Sequence, residues 1–235
     1  MSVENGLLAL AGFDPATLSR DFRTRLHPLV EAADERGPLL EECCGAYNHR
    51  LLRFCTMLTV ERSKVSSQCS ACRESMDVEI FVTKLLETRA GDRNAEVSVG
   101  ASIFRLPRMA DLGAIESGPD AEPIILQLAR ICRIRGLEPI GEDLVDALSS
   151  AFDTADPAAA IKLDHACTQC GHRALVSVQV ELLVANAATQ ASTRLLQDID
   201  AIASAYGWSE PQIMTLPPER RGRYVEIITA RIGAR

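Results

Sequence analysis

The sequence predicts an α+β fold, with helical regions at both ends of the chain around a small antiparallel ribbon of strands that a strand-plus-helices insertion splits in two. Apolar residues recur every three to four positions near both ends, the period of a helix with one buried face. Between those ends stand two Cys-x-x-Cys pairs, Cys69 with Cys72 and Cys167 with Cys170, each followed by an alternating run: Val78, Ile80 and Val82, then Val176, Val178 and Val180. Alternation is the mark of a half-buried strand. Every one of these positions recurs 98 residues later, which reads as two copies of one knuckle-plus-strand unit. The alternative is that two Cys-x-x-Cys turns, each naturally followed by a strand, fall into line by coincidence.

Composition sets outer limits. The 235 residues carry 25 Lys plus Arg against 32 Asp plus Glu, a net charge of −7, with 47% hydrophobic and 24% charged residues. These are the proportions of a globular protein and exclude a disordered or collagenous chain. At roughly 100 to 200 residues per domain, one large or two small domains fit, with a core that needs no disulfide stapling. No run approaches the roughly 18 consecutive apolar residues of a membrane span. The first basic side chain is Arg20, so no basic secretory n-region is present and the chain is expected to stay in the cytoplasm. Thiols there stay reduced, and eight cysteines then point to metal ligation or buried thiols rather than to disulfides. Net acidity, with only six Phe, three Tyr and one Trp, argues against a nucleic-acid-coating role.

The elements follow in order. Asp14-Pro15 caps a helix carrying Leu18, Phe22, Leu26 and Leu29 on one stripe, and Gly37-Pro38 ends it. A second helix is expected from Leu39 through Val60, with Leu51, Leu52, Cys55, Leu58 and Thr59 on one face and Glu41, Glu42, His49, Arg50 and Arg53 largely on the other. After the first knuckle and its strand, Val97, Val99, Ala101 and Ile103 alternate as one strand ending at Leu106-Pro107, and Asp111 caps a short helix through Ile115. Ser117-Gly118-Pro119-Asp120 is a turn. Helices are expected at 123–135, with Ile124, Ile125, Leu128, Ile131 and Cys132 on one face, and at 141–152, with Leu144, Val145, Leu148 and Phe152. Ile161, Leu163 and His165 alternate into the second knuckle. A final long helix runs from Ala187 to Tyr206, with Leu195, Leu196, Ile199, Ile202, Ala203 and Tyr206 in its stripe, and stops at Gly207. Ser209-Glu210-Pro211 and Leu216-Pro217-Pro218-Glu219 open two more helices, the last with Tyr224, Ile227, Ile228 and Ile232 on one face. The organisation is thus an N-terminal helical region (1–62), a first half-ribbon (63–92), an inserted subdomain (93–160), a second half-ribbon (161–186) and a C-terminal helical region (187–235).

A Cys-x-x-Cys turn aims two thiolates at one point, which is half a tetrahedral site. Two such turns close the sphere, so Cys69, Cys72, Cys167 and Cys170 are the expected ligands of one structural zinc ion with no position left for water. The 94 residues between the pairs must then loop out as a subdomain, and antiparallel pairing of the segment after Cys72 with that after Cys170 would bring the knuckles together. Redox-active pairs, two separate sites and a ribbon without metal are the alternatives. A thioredoxin-like redox motif requires Cys-x-x-Cys at a helix start, and here each pair precedes a strand.

The other reactive side chains read as structural. His165 and His172 flank the second pair, with a supporting role toward sulfur or backbone open to them. Cys43, Cys44, Cys55 and Cys132 sit in helical patterns as small buried hydrophobes. His27 and His49 are isolated, Asp198 with Asp200 and Glu41 with Glu42 read as solvated faces, and Arg220, Arg221 and Arg223 as a solvated helix start. No glycine-rich phosphate loop, HExxH helix or GxSxG elbow is present.

The whole layout resembles a family encoded with contractile phage tails and phage-tail-like contractile injection systems. The residues that carry the resemblance are Cys69 to Cys72, Arg105-Leu106-Pro107 with Asp111-Leu112, Cys167 to His172, and Tyr206-Gly207-Trp208-Ser209-Glu210 followed by Ile213, Leu216, Arg220, Arg221 and Tyr224. It spans about residues 45 to 232, and the C-terminal block is its most specific part. Arg73 and Glu74 depart from the proline and glycine usual around the second cysteine of the first knuckle. The resemblance implies a non-enzymatic baseplate or baseplate-hub assembly protein, chaperone-like, made in the cytoplasm of a bacterial cell. Its partners would be other tail or baseplate subunits, with no small-molecule substrate, membrane or nucleic acid. Tyr206, Trp208 and Tyr224 are candidate anchors, with core packing as the other reading. The competing class is a zinc-ribbon nucleic-acid or transcription adaptor, which requires a basic face at the knuckles.

Overall fold

A computed structural model describes residues 3–10, 20–34, 36–58, 62–116, 118, 121–137 and 139–233. Asp14, Pro15, Leu18, Thr59 and Val60 lie outside the described residues, as does the turn at 117–120 except for Gly118. Helices and small antiparallel sheets alternate along the chain, an α+β fold that divides into two compact units, 30–184 and 1–29 with 185–235.

The larger unit begins in the last turns of helix α2 (Arg20–Asp34), which is followed by a 3-10 turn, Leu39–Glu41, and helix α3, Cys44–Met57. The single helix expected from Leu39 is therefore broken. The reason is a backbone pairing at long range: Cys44 N–H donates to the Pro107 carbonyl (3.3 Å) and Met109 N–H to that of Glu42 (3.1 Å), holding Cys43 extended. Arg50, expected on the solvated face, is buried instead. Its guanidinium binds Asp34 through Nε (2.8 Å) and Nη2 (2.6 Å) and donates to the Gly37 carbonyl (2.9 Å).

Each knuckle is the turn of its own hairpin. β1 (Arg62–Gln68) pairs antiparallel with β2 (Ser75–Phe81), and β6 (Lys162–Ala166) with β7 (Arg173–Ser177). The expected pairing of the segments after Cys72 and Cys170 does not occur. A six-residue turn returns the chain directly onto the preceding strand, which satisfies its backbone groups locally. Met76, Val78 and Ile80 are buried on β2 and Val176 on β7. Val82 and Val180, read as strand positions, open helices: α4 (Val82–Leu85) and α8 (Val180–Tyr206). α8 thus begins well before Ala187, because Val180, Leu183, Val184, Ala187 and Ala188 already form a buried helical stripe.

The 98-residue offset reaches far beyond the knuckles. α3 is matched by α7 (Glu142–Ala155), the start of α4 by the start of α8, and the end of α2 at Asp34 by the end of α6 (Ile124–Cys132). Phe54 and Phe152 occupy equivalent buried positions.

The insertion holds a three-stranded sheet in the order β3 (Glu96–Val99), β4 (Ser102–Arg105), β5 (Arg133–Arg135). The one strand expected over Val97 to Ile103 is a hairpin, because Gly100 takes a left-handed φ of 59° and reverses the chain. The helix expected to reach Arg135 ends at Cys132, and 133–135 pair with β4. Its buried face is Leu128, Ala129 and Cys132, whereas Ile124 and Ile131 are exposed. Asp111 sits inside helix α5 (Met109–Leu112) rather than at its cap, and it caps from there by accepting the Arg108 N–H at 2.8 Å. Phe104, Leu106, Cys132, Leu148 and Phe152 form the shared core.

In the smaller unit, α1 (Val3–Leu8), α8, α9 (Glu210–Met214) and α10 (Pro218–Gly233) surround Leu195, Ile199, Ile202, Ile213 and Ile228. Leu196, Ile227 and Ile232, expected in buried stripes, are exposed. Arg221, expected to be solvated, is buried: it donates to the Leu216 carbonyl (2.7 Å) and forms an ion pair with Glu4.

One buried carboxylate ties the larger unit together. Asp156 accepts from Gly45 N–H (2.7 Å) and Gly91 N–H (2.6 Å), and a Cβ at either glycine would collide with it. Asp156→Ala leaves two buried N–H donors without an acceptor and is expected to cost about 2–4 kcal/mol in urea unfolding; an unchanged midpoint contradicts this role.

Candidate metal centre

The four predicted cysteines converge. Their sulfurs all lie within 4.8 Å of one another, in an arrangement that could hold a metal ion. Cys69 Sγ stands 3.7 Å from Cys170 Sγ, and Cys72 Sγ 3.7 Å from Cys167 Sγ. A tetrahedral ion with metal–sulfur bonds of about 2.3 Å requires about 3.8 Å between sulfurs. A disulfide requires about 2 Å. The spacing therefore fits four ligands around one ion.

Local hydrogen bonding sets each knuckle. Cys69 N–H donates to Glu74 C=O (2.9 Å) and Arg73 N–H to Cys69 C=O (2.9 Å); Cys167 N–H donates to His172 C=O (2.8 Å) and Gly171 N–H to Cys167 C=O (2.9 Å). These are the same bonds at the same offset. The turn demands a left-handed residue just after the second cysteine, and Arg73 (φ 63°) takes it in one copy where Gly171 (φ 71°) takes it in the other.

The junction is symmetric in burial too. Cys69 and Cys167, the first of each pair, are buried beside Met76, and each faces the exposed second cysteine of the other knuckle. The backbone N–H groups of Cys72 and Ala71 hold the Cys69 thiol down to about 6. The Glu74 N–H acts in the same direction on Cys72, but the sulfurs of Cys170, Cys69 and Cys167 beside that thiol push it up to about 12. Four thiols this close ionise together only around a cation.

The remaining candidates divide. His172 Nε2 lies 3.1 Å from Ser70 Oγ, so it bridges the knuckles rather than joining the sulfurs. Sequence reasoning had no signal for Ser70. It also left β1 unread, since Val65 is its one apolar residue; shifting 162–166 back by 98 would have found it. Cys43, Cys55 and Cys132 are buried and Cys44 half-buried, and burial pushes their thiols up to about 11 or 12. His49 Nε2 meets the Thr88 carbonyl at 2.7 Å. Glu41 and Glu42 pair with Arg108 and Arg50. Burial raises the Asp198 carboxyl against the lowering effect of Arg221. Arg105 and Asp111 form a two-pronged ion pair (2.6 and 2.8 Å) that outweighs burial and lowers the Asp111 carboxyl.

Comparison with protein-family models, with curated proteins and with solved structures returns no match. No helix among the described residues is long and apolar enough to cross a membrane.

Two outcomes follow from this geometry. Elemental analysis of protein purified without added metal should find one thiophilic ion per chain, lost in both Cys69→Ser and Cys167→Ser; loss in only one variant would break the shared site. Arg73→Gly removes a left-handed strain of about 1–2 kcal/mol against a glycine entropy of about 0.5–1 kcal/mol, so thermal unfolding should move upward, and Gly171→Arg should move it downward.

Proposed function

We propose that this chain is a non-enzymatic structural or assembly protein of a contractile-tail or injection-system baseplate, chaperone-like, acting in the bacterial cytoplasm where tails are built. In this reading one zinc ion on Cys69, Cys72, Cys167 and Cys170 fixes its shape, and its helical ends bind other baseplate subunits. An all-sulfur tetrahedral set favours zinc or an iron–sulfur centre over hard cations, and a single-ion spacing favours zinc. Four protein ligands leave no open position for a substrate or an activated water.

The observation that carries the reading is the C-terminal block on which the resemblance rests. Its residues act together: Gly207 (φ 68°) ends α8, Ser209 and Gln212 form a reciprocal cap on α9, and Arg221 ties α10 to Leu216. This turn gathers Tyr206, Trp208 and Tyr224 into one ring cluster, with centroids 5.2 to 5.5 Å apart. The rings are half-buried and flanked by Arg220 and Arg231, so they combine core packing with an aromatic surface of the sort that anchors protein interfaces. The adaptor reading has less support, because acids stand among the cations at the knuckles: Glu74 follows Arg73, and Asp164 pairs with Arg173.

The test is genetic. Deleting the coding sequence in a cell that produces the contractile particle should abolish sheathed tails with baseplates in electron micrographs, and a Cys69→Ser/Cys167→Ser copy should fail to restore them. Normal particles after deletion would overturn the baseplate reading. Salt-dependent DNA binding by the purified chain would support the adaptor instead.

A further inference from the structure

Between α8 and α10 runs a groove of about 510 Å³ lined by Asp200, Ala201, Ser204, Ala205, Ile228, Arg231 and Ile232. On α8, positions 196, 200, 201, 204 and 205 share one face, and on α10 positions 227, 228, 231 and 232 share another. Exposed apolar groups accompany it: Ile232 in its lining is 70% exposed, and Leu196 (43%) and Ile227 (45%) lie on the same helix faces. The α8 side is small, so a neighbouring helix can approach its backbone closely. Asp200 and Arg231 supply one charge of each sign, and neither forms an ion pair among the described residues. Arg231 instead rests its guanidinium 5.8 Å from the centre of the Tyr206 ring.

We propose that this groove is the contact face between two copies of the chain, related by a twofold axis, with Asp200 of each copy meeting Arg231 of the other around Ala205, Ile228 and Ile232. A twofold contact must be complementary to itself. A surface with one carboxylate and one guanidinium, neither in an ion pair among the described residues, meets that condition; a face of one sign does not. At net −7 two copies repel one another overall, and a contact of locally balanced charge adds nothing to that repulsion. The inference stands apart from the baseplate reading and from the metal centre.

The test is sedimentation equilibrium of the full chain over a concentration series, with metal content and circular dichroism confirming that each variant is folded. The wild type should dimerise. Asp200→Arg and Arg231→Asp should each weaken the dimer at least about tenfold, since each sets like charges across the contact. An equimolar mixture of these two variants, and the double variant alone, should recover dimers, because opposite charges then face each other again. Ile232→Glu should give monomer. A wild type that stays monomeric up to about 100 μM, or single charge variants that dimerise like the wild type, would overturn the proposal. A wild-type monomer that instead captures a baseplate subunit through this groove would assign it to a different occupant and equally overturn self-association.

Discussion

Four sulfur atoms meet at one point in the larger unit, in an arrangement that could hold a metal ion, and they join parts of the chain that no backbone ladder brings together among the described residues. The strands of the two knuckle hairpins pair there only within β1–β2 and β6–β7. A two-stranded hairpin is marginal alone in water, and a polar one such as β1 has little apolar surface to hold it. The sulfur cluster and the Ser70–His172 contact are what fasten one knuckle to the other. Closing a loop of this length has an entropic cost that grows only slowly with length, so a strong multidentate junction can hold segments 98 residues apart.

The same offset explains how the rest is arranged around that junction. Position 34 faces 50 in the first copy, and 132 lies with 148 in the second. The first copy fills this helix–helix contact with a buried ion pair, Asp34 with Arg50, while the second fills it with Cys132 and Leu148. A buried ion pair and a well-packed apolar pair are often close in net free energy, although breaking the ion pair by removing one partner is severe. Two chemically different solutions can therefore support one geometry, which is why the duplication shows in element boundaries more clearly than in residue identities.

That distinction also marks what was legible beforehand. The cysteine spacing, the strands after each knuckle and the long final helix could be read because local pattern alone decides them. The 39–60 helix could not, since its break comes from Cys43 and Cys44 pairing with residues more than 60 positions away. Arg50 and Arg221 were read as solvated because both are cations, and their burial depends on partners, Asp34 and Glu4, that no helical period predicts. Hairpin pairing was misread for a related reason: alternation tells which face of a strand is buried, not which strand lies beside it.

The residues behind the family resemblance have a further property: most of them maintain shape. Gly207 provides a left-handed turn, Ser209 a helix cap, Arg221 a tie to a backbone carbonyl, and Arg105 with Asp111 a clamp between β4 and α5. None of these groups needs a ligand to explain its position. What the shaped scaffold leaves toward solvent is different in kind: half-buried rings and, along α8 and α10, exposed isoleucines with an unmatched acid and base. Arg50, Asp156 and Arg221 likewise spend their charges on ties within the scaffold, while half-buried rings and exposed isoleucines face outward.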